Sequence, residues 1–539
     1  MYSVDADSAQ LLIGYTDIFS GEIPDVKEEI SKLNMHKSIS IICELIRIRY
    51  AMLEPMYFGN VECKIPFETV LKKQICDINV DSLEEMFTQP LLRKDVHIIS
   101  LQMLLLLLKE IIIYGDYQTL EYSNYEISQN DYKKIIQLQL VIVENLSQKH
   151  LNEDFDLNHF LYSTYHLNYQ RNVANEFLRM YYMMEKISRN KENYNDDKNE
   201  FRDYYSDFTA KYGFTPTQYS SFLFLELEIY YSKTNGLVYN SMWKDIEEIY
   251  SQMKDKELIY QVIKTLSQPV KEYFNWAIKS KEREWDFSNF FEFPFMMDNQ
   301  GNYISICDTT LINAFFEKIF WLIRNCYPKE DSRSMAFFGR IFEKYIQDIT
   351  ENAVEGDYKY IPEFKYKQNK KSSDAYIRKE TNLLVVEAKG FSVLLDCMTK
   401  NEKVEKNNNK LFVDPIIQAD LCLSDIIDNE SDFENVESAY IISVTMDNIN
   451  AVAEYYNNIH DDIEERKVCE RTKYFFNFNI EEYEMLLYLL EQKHDIFNIL
   501  KDYFNNSLLK PFSNYLYENY GEIGMTNFME KYIKRLLKK

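Results

Sequence analysis

Glycine and proline are scarce in this chain: 12 and 11 of 539 residues. So few turn-formers cannot punctuate an all-β fold, and they favour long helices with a modest sheet among them. The eight cysteines, at 43, 63, 76, 307, 326, 397, 422 and 469, form no CxxC pair, and the seven histidines are scattered. Structural zinc, a disulfide framework and His-cluster chemistry are therefore not expected. A basic excess is lacking as well: the formal net charge is −25, the wrong sign for a general nucleic-acid coat. No P-loop, dinucleotide fingerprint or glycine-rich phosphate cradle occurs, so energy-coupled motion would have to come from a partner chain.

Long apolar runs are few. The most hydrophobic stretch, Val96–Tyr114 with Leu104–Leu108, is interrupted by Lys109 and Glu110. Its uninterrupted part falls short of the ~20 residues of a membrane span, so a buried core helix is expected. Met1-Tyr2-Ser3-Val4-Asp5 lacks the basic-then-apolar layout of a signal peptide, and a cytoplasmic location is expected.

What is present is apolar mass, 46% hydrophobic and 15% aromatic residues, enough to exclude general disorder. The length suggests three or four domains. Residues 1–290 read as helical throughout, with apolar spacings of three and four in Ile30–Leu53, Ile98–Tyr114, Tyr132–Leu146 and Val173–Ile187. Asn190–Arg202 reads as an exposed connection, and Pro269 separates helices over Trp243–Ser267 and Val270–Lys281. Texture changes near Phe290. Phe293–Met297, a polar turn and Tyr303–Ile306 predict a hairpin that opens the next region, 291–450. Residues 451–539 read as helical again, with Asn479 and Glu482 spaced as a capping box.

Within 291–450 the periodicity predicts a helix over Ser332–Thr350, whose apolar face is Phe338, Phe342, Tyr345, Ile346 and Ile349. Glu343 sits at the margin of that face and Gly339 one turn earlier. Tyr358–Lys367 reads as a strand, and Asp396–Leu411 as a Lys- and Asn-rich insertion. Asp414 with Pro415 reads as a helix start, and Tyr440–Thr445 as a buried strand. Two apolar runs, Ala375-Tyr376-Ile377 and Leu383-Leu384-Val385-Val386, flank a polar turn. If that turn centres between Glu380 and Thr381, Asp374 lies opposite Glu387, at the ~4.5–5.5 Å Cβ spacing of cross-strand neighbours. Strand alternation then puts Glu387 and Lys389 on one face, with Val386 and Ala388 on the other.

An acid in a core helix, an Asp at a strand start and Glu-x-Lys on the next strand resemble the PD-(D/E)XK nuclease superfamily, whose fold is restriction-endonuclease-like. The positions are Glu343, Asp374 and Glu387-Ala388-Lys389, with Ser373 where the family name has proline. Gln418, in Asp414-Pro415-Ile416-Ile417-Gln418, stands where many members carry a polar residue on a following helix. The resemblance covers roughly 330–450. It implies a mixed architecture: a large all-helical N-terminal region, a central restriction-endonuclease-like α/β/α core and a helical C-terminal region. It also implies Mg²⁺ (or Mn²⁺) held by Asp374, Glu387, the Ala388 carbonyl and Glu343, with Lys389 and Gln418 serving the reaction. Glu363 and Glu351 rival Glu343 for the third acid.

The implied activity is phosphodiester hydrolysis, of DNA more than RNA, in restriction or anti-phage defence. A catalytically silent copy of the fold serving as an interaction protein, and an RNase using the same site, remain open. Residues 331–420 hold 15 basic and 15 acidic residues, so this region is neutral and the remaining 46 and 71 carry the whole net charge. Weak intrinsic DNA affinity follows, and with it targeting by the helical portion, a partner protein or a second copy. Lysines 365, 367, 370 and 371 could track a phosphate backbone beside the site, as could those of the insertion (400, 403, 406, 410).

Overall fold

The computed structural model describes residues 11–50, 96–97, 99–120, 125–152, 157–164, 167, 173–191, 201–231, 241–367, 369–390, 393, 397, 403–446, 453–508 and 510–536. The protein is of mixed α and β type. By compactness it divides into two units, residues 5–174 with 209–320, and residues 175–208 with 321–539.

In the first unit, helices Met35–Tyr50, Leu101–Tyr114 and Gln129–Asn152 form a hydrophobic core. Leu101–Tyr114 buries nearly its whole length, as expected of its leucine run. No helix among the described residues is long and apolar enough to cross a membrane. The hairpin Phe295–Met297/Tyr303–Ser305 forms in antiparallel register. The reading of 1–290 as all-helical needs correction, because Leu11–Leu12 pairs with Val96–His97 and Ser267–Pro269 pairs in parallel with Phe295–Met297. Pro269 drives the second of these: it forces its predecessor out of helical geometry, and the freed backbone joins the sheet. That pairing holds the hairpin in this unit, apart from the five-stranded sheet of the second.

The second unit is built on a five-stranded sheet. Its elements, in chain order, are α1 (Ser332–Ala353), β1 (Lys359–Pro362), β2 (Lys365–Tyr366), β3 (Lys370–Lys371), β4 (Ala375–Lys379), β5 (Asn382–Lys389), α2 (Asp414–Ile426), β6 (Ser438–Thr445), α3 (Ala453–Arg466), β7 (Thr472–Asn479) and α4 (Ile480–Glu491). The strand order is β7-β6-β5-β4-β1, while β2 and β3 form a separate small ribbon. Strands β5, β6 and β7 run parallel, and β4 and β1 are antiparallel to their neighbours. Leu383–Val386 and Ala439–Ile442 are buried on both faces, as parallel strands covered by helices must be.

The predicted apolar face of α1 is wholly buried, and the helix runs three residues past Thr350. The expectation of a helical segment over 451–539 is corrected by β7, which extends the sheet past residue 450. Its aromatic run Tyr474-Phe475-Phe476 and Phe478 fits a pleated surface better than a helix. The Asn479–Glu482 capping box then starts α4 as expected. Asp414 does not cap a helix start. Val404–Asn408 and the π-turn Asn409–Val413 lead directly into α2, and Asp414 itself has helical dihedrals. Lys400 of the insertion and residues 192–200 of the Asn190–Arg202 connection lie outside the described residues.

Candidate active site

β4 and β5 meet in the register Lys379↔Asn382 through Ala375↔Val386. The turn therefore centres on Glu380–Thr381, with Glu380 in the left-handed region at φ 53°. One further step of the same register sets Asp374 opposite Glu387. There the backbone ladder ends, and a side chain takes over. The Ala388 amide donates to Asp374 Oδ2 at 2.7 Å, replacing the strand partner that β4 no longer supplies. The N–H and C=O of a strand residue point to the same edge, so the Ala388 carbonyl faces the gap that Asp374 lines.

Both acids are buried, Asp374 to 7% and Glu387 to 3% exposure. Burial pushes the Asp374 carboxyl well above the usual carboxylate range. The negative charges of Glu387 and Glu343 add to this, while the Ala388 amide and Lys389 oppose it without prevailing. Glu387 is raised by burial and by Glu343, against the pull of Lys389. Burial alone would lower the Lys389 ammonium, but Glu387, Asp374 and Glu343 outweigh it and hold the group charged.

Lys389 Nζ sits 2.8 Å from Glu387 Oε1 and donates to Gln418 Oε1 at 3.1 Å. The structure thus joins Gln418, on α2, to Glu387 and Lys389, on β5. On the opposite side of β5, Gly390 packs on Gly339 and Phe342 of α1. Strand alternation places α1 and α2 on opposite faces of the sheet.

Glu343 is half-buried and paired with Arg340 on its own helix at 2.8 Å. It is close enough to act on Asp374, Glu387 and Lys389 through its charge. The rivals point elsewhere: Glu363 is paired with Lys371 at 3.1 Å, and the exposed Glu351 presses on Tyr360. Ser373 stands where the pattern this segment resembles has proline, and its amide donates to the Tyr376 hydroxyl at 3.0 Å. Proline has no such donor, so the departure is built into this turn.

Among the described residues no three Asp, Glu, His or Cys side chains converge as a ready-made metal cage. Mg²⁺ does not require one, since it keeps several waters and takes one or two carboxylates. Asp374 and Glu387 are hard oxygen donors on one face, no donor among the described residues reaches Asp374 Oδ1, and the Ala388 carbonyl faces the same gap. Burial first, and neighbouring negative charge second, raise both carboxyls, and a divalent cation would favour their ionised forms. The donor set fits Mg²⁺.

Sequence reasoning missed three things near this site. Arg340 was findable, since Arg and Glu three apart on a helix are neighbours. Arg466 and Leu421 line the cleft beside Glu387 and Gln418, and they carry no local signal because the fold brings them there. No family model, no curated protein and no solved structure matches the chain.

Proposed function

We propose that the chain is a Mg²⁺-dependent phosphodiesterase of the PD-(D/E)XK, restriction-endonuclease-like type, acting on DNA. The observation that carries this reading is the fork at the end of β4. There Asp374 accepts from the Ala388 amide and continues the register that sets it opposite Glu387, on which the Lys389 ammonium sits. Bound there, Mg²⁺ would supply an activated water and neutralise charge developing on the phosphoryl group.

The chain's own groups do the rest. Asp374 and Glu387 would hold the ion, and Ala388 anchors Asp374 through its amide. Lys389 donates to the attacking water or a phosphate oxygen, and Gln418 fixes the ammonium where it can do so. Glu343 orients water from the far side of the gap. The neutral core within an acidic chain supports the further proposal that targeting comes from the helical regions, a partner protein or a second copy, as in restriction or anti-phage defence.

One observation favours the rival reading of a catalytically silent fold: Glu343 is already paired with Arg340 on its own helix. The test incubates the full chain with linear and circular DNA, and with RNA in parallel, with Mg²⁺, Mn²⁺ or EDTA. Metal-dependent cleavage that disappears in Asp374→Ala and Lys389→Ala supports the enzyme. Identical traces for wild type and both variants leave the silent fold, and cleavage of RNA alone makes the enzyme an RNase.

A further inference from the structure

A cleft of about 410 Å³ opens directly beside Glu387 and Gln418. Its walls are of two kinds. Tyr366, Ile417 and Leu421 supply apolar surface, and Leu421 is half exposed although it lies on a helix packed against the sheet. Lys370, Lys371 and Arg466 supply positive charge at the rim.

The β2–β3 ribbon forms one wall, and its register sets Lys365 directly across from Lys371 and Tyr366 across from Lys370. Like charges opposite one another destabilise a two-stranded ribbon, and two residues per strand offer little to offset that. Glu363 takes up part of the charge on Lys371 at 3.1 Å, and a polyanion would relieve the rest. The acids of the cleft are largely spoken for, with Asp414 on Arg466 at 3.2 Å and Asp425 on Lys367 at 2.9 Å. Lys370 has no carboxylate within ion-pair distance among the described residues.

We infer that this cleft holds one unpaired nucleotide of the substrate, so that the enzyme engages single-stranded DNA or a frayed end rather than an intact duplex. The inference deepens the phosphodiesterase reading and rests on it for the position of the cleaved bond. The volume lies at the small end of the roughly 300–1,000 Å³ range of small-ligand sites. A base paired and stacked inside a duplex cannot enter such a cleft without first being unpaired and unstacked. An unpaired nucleotide can: its base lies against Tyr366 and Leu421, and its phosphates meet Lys370, Lys371 and Arg466. Aromatic stacking with flanking cations is how unpaired strands are held without sequence preference.

The test measures fluorescence anisotropy of a labelled twelve-nucleotide oligo-dT and of a twelve-base-pair duplex against the full chain in EDTA. Metal and turnover then play no part. The single strand is expected to bind about tenfold more tightly than the duplex. Lys370→Glu and Tyr366→Ala are each expected to weaken it about tenfold, whereas the exposed Lys254→Glu, an equal charge change in the other unit, leaves it unchanged. Equal affinity for strand and duplex, or equal loss in all three variants, overturns the inference. Parallel cleavage assays separate the two claims. Asp374-dependent cleavage of intact duplex without preference for the strand sinks the cleft proposal and leaves the phosphodiesterase. Strand binding lost in Lys370→Glu, with no cleavage of any substrate, does the reverse.

Discussion

The Ala388 amide donates to Asp374 Oδ2 at 2.7 Å, joining a strand backbone to the carboxylate at the end of its neighbour. That bond holds a carboxyl in a place that raises its affinity for protons. The consequence for stability has a definite sign. Between the unfolded and folded pKa values the native chain binds more protons than the unfolded chain, so this group's contribution to stability falls as pH rises through that window. Asp374→Asn removes the cost and keeps an oxygen for the Ala388 amide. In EDTA the variant is expected to melt higher than wild type at pH 8, with the difference vanishing near pH 4. A wild type that melts higher at both pH values would refute this.

Mg²⁺ is expected to reverse that ranking. Its binding must displace protons from Asp374 and Glu387, so affinity weakens as pH falls through their raised pKa values. At a hundredfold excess over Kd the ion is expected to stabilise wild type by about 2.7 kcal/mol, with Asp374→Asn and Glu387→Gln gaining much less. Thermal melts with and without Mg²⁺ at two pH values read this directly. Cleavage by Asp374→Ala is expected to fall roughly a thousandfold, equivalent to about 4 kcal/mol of transition-state stabilisation.

The hairpin that carries the site was legible because two constraints agreed. Two apolar runs marked the strands, and the polar Glu380–Thr381 pair marked the turn, so Asp374 and Glu387 could be paired from residue numbers alone. α1 was legible from its apolar stripe. β7 was not: it lies between helices, and only its aromatic run distinguished it. The cleft could not be read at all. Tyr366, Leu421 and Arg466 are far apart in sequence, and nothing local records that the fold unites them.

Deeper in the same unit, Arg179 is fully buried between Glu176 at 2.8 Å and Glu484 at 2.8 Å, and Glu484 also accepts from Tyr345 of α1. Removing the guanidinium alone takes the positive charge away from two carboxylates in a dry interior. Arg179→Met is expected to cost about 3–5 kcal/mol. Adding Glu484→Gln recovers part of the loss, because the sites share a partner and their effects cannot sum. Chemical denaturation of single and double variants checks both statements. Strictly additive losses would mean the three groups do not act as one cluster.

Two glycines face each other where α1 meets the end of β5, and they predict opposite outcomes for the same substitution. A Cβ on Gly390 would stand 3.2 Å from Gly339 Cα and 3.2 Å from Phe342 Cβ. Neither neighbour is a flexible chain end, so α1 would have to back away. Glu343 follows Phe342 in sequence and moves with it. Gly390→Ala is expected to cost about 1–3 kcal/mol by overpacking and to slow cleavage by about tenfold or more, since small displacements at a reacting centre are costly. A Cβ on Gly339 meets nothing within 4 Å, and alanine in a helix interior is favoured over glycine by about 0.5–1 kcal/mol. Gly339→Ala is therefore expected to stabilise the protein and leave cleavage intact. If both substitutions destabilise equally, the close approach of strand and helix does not set the position of Glu343.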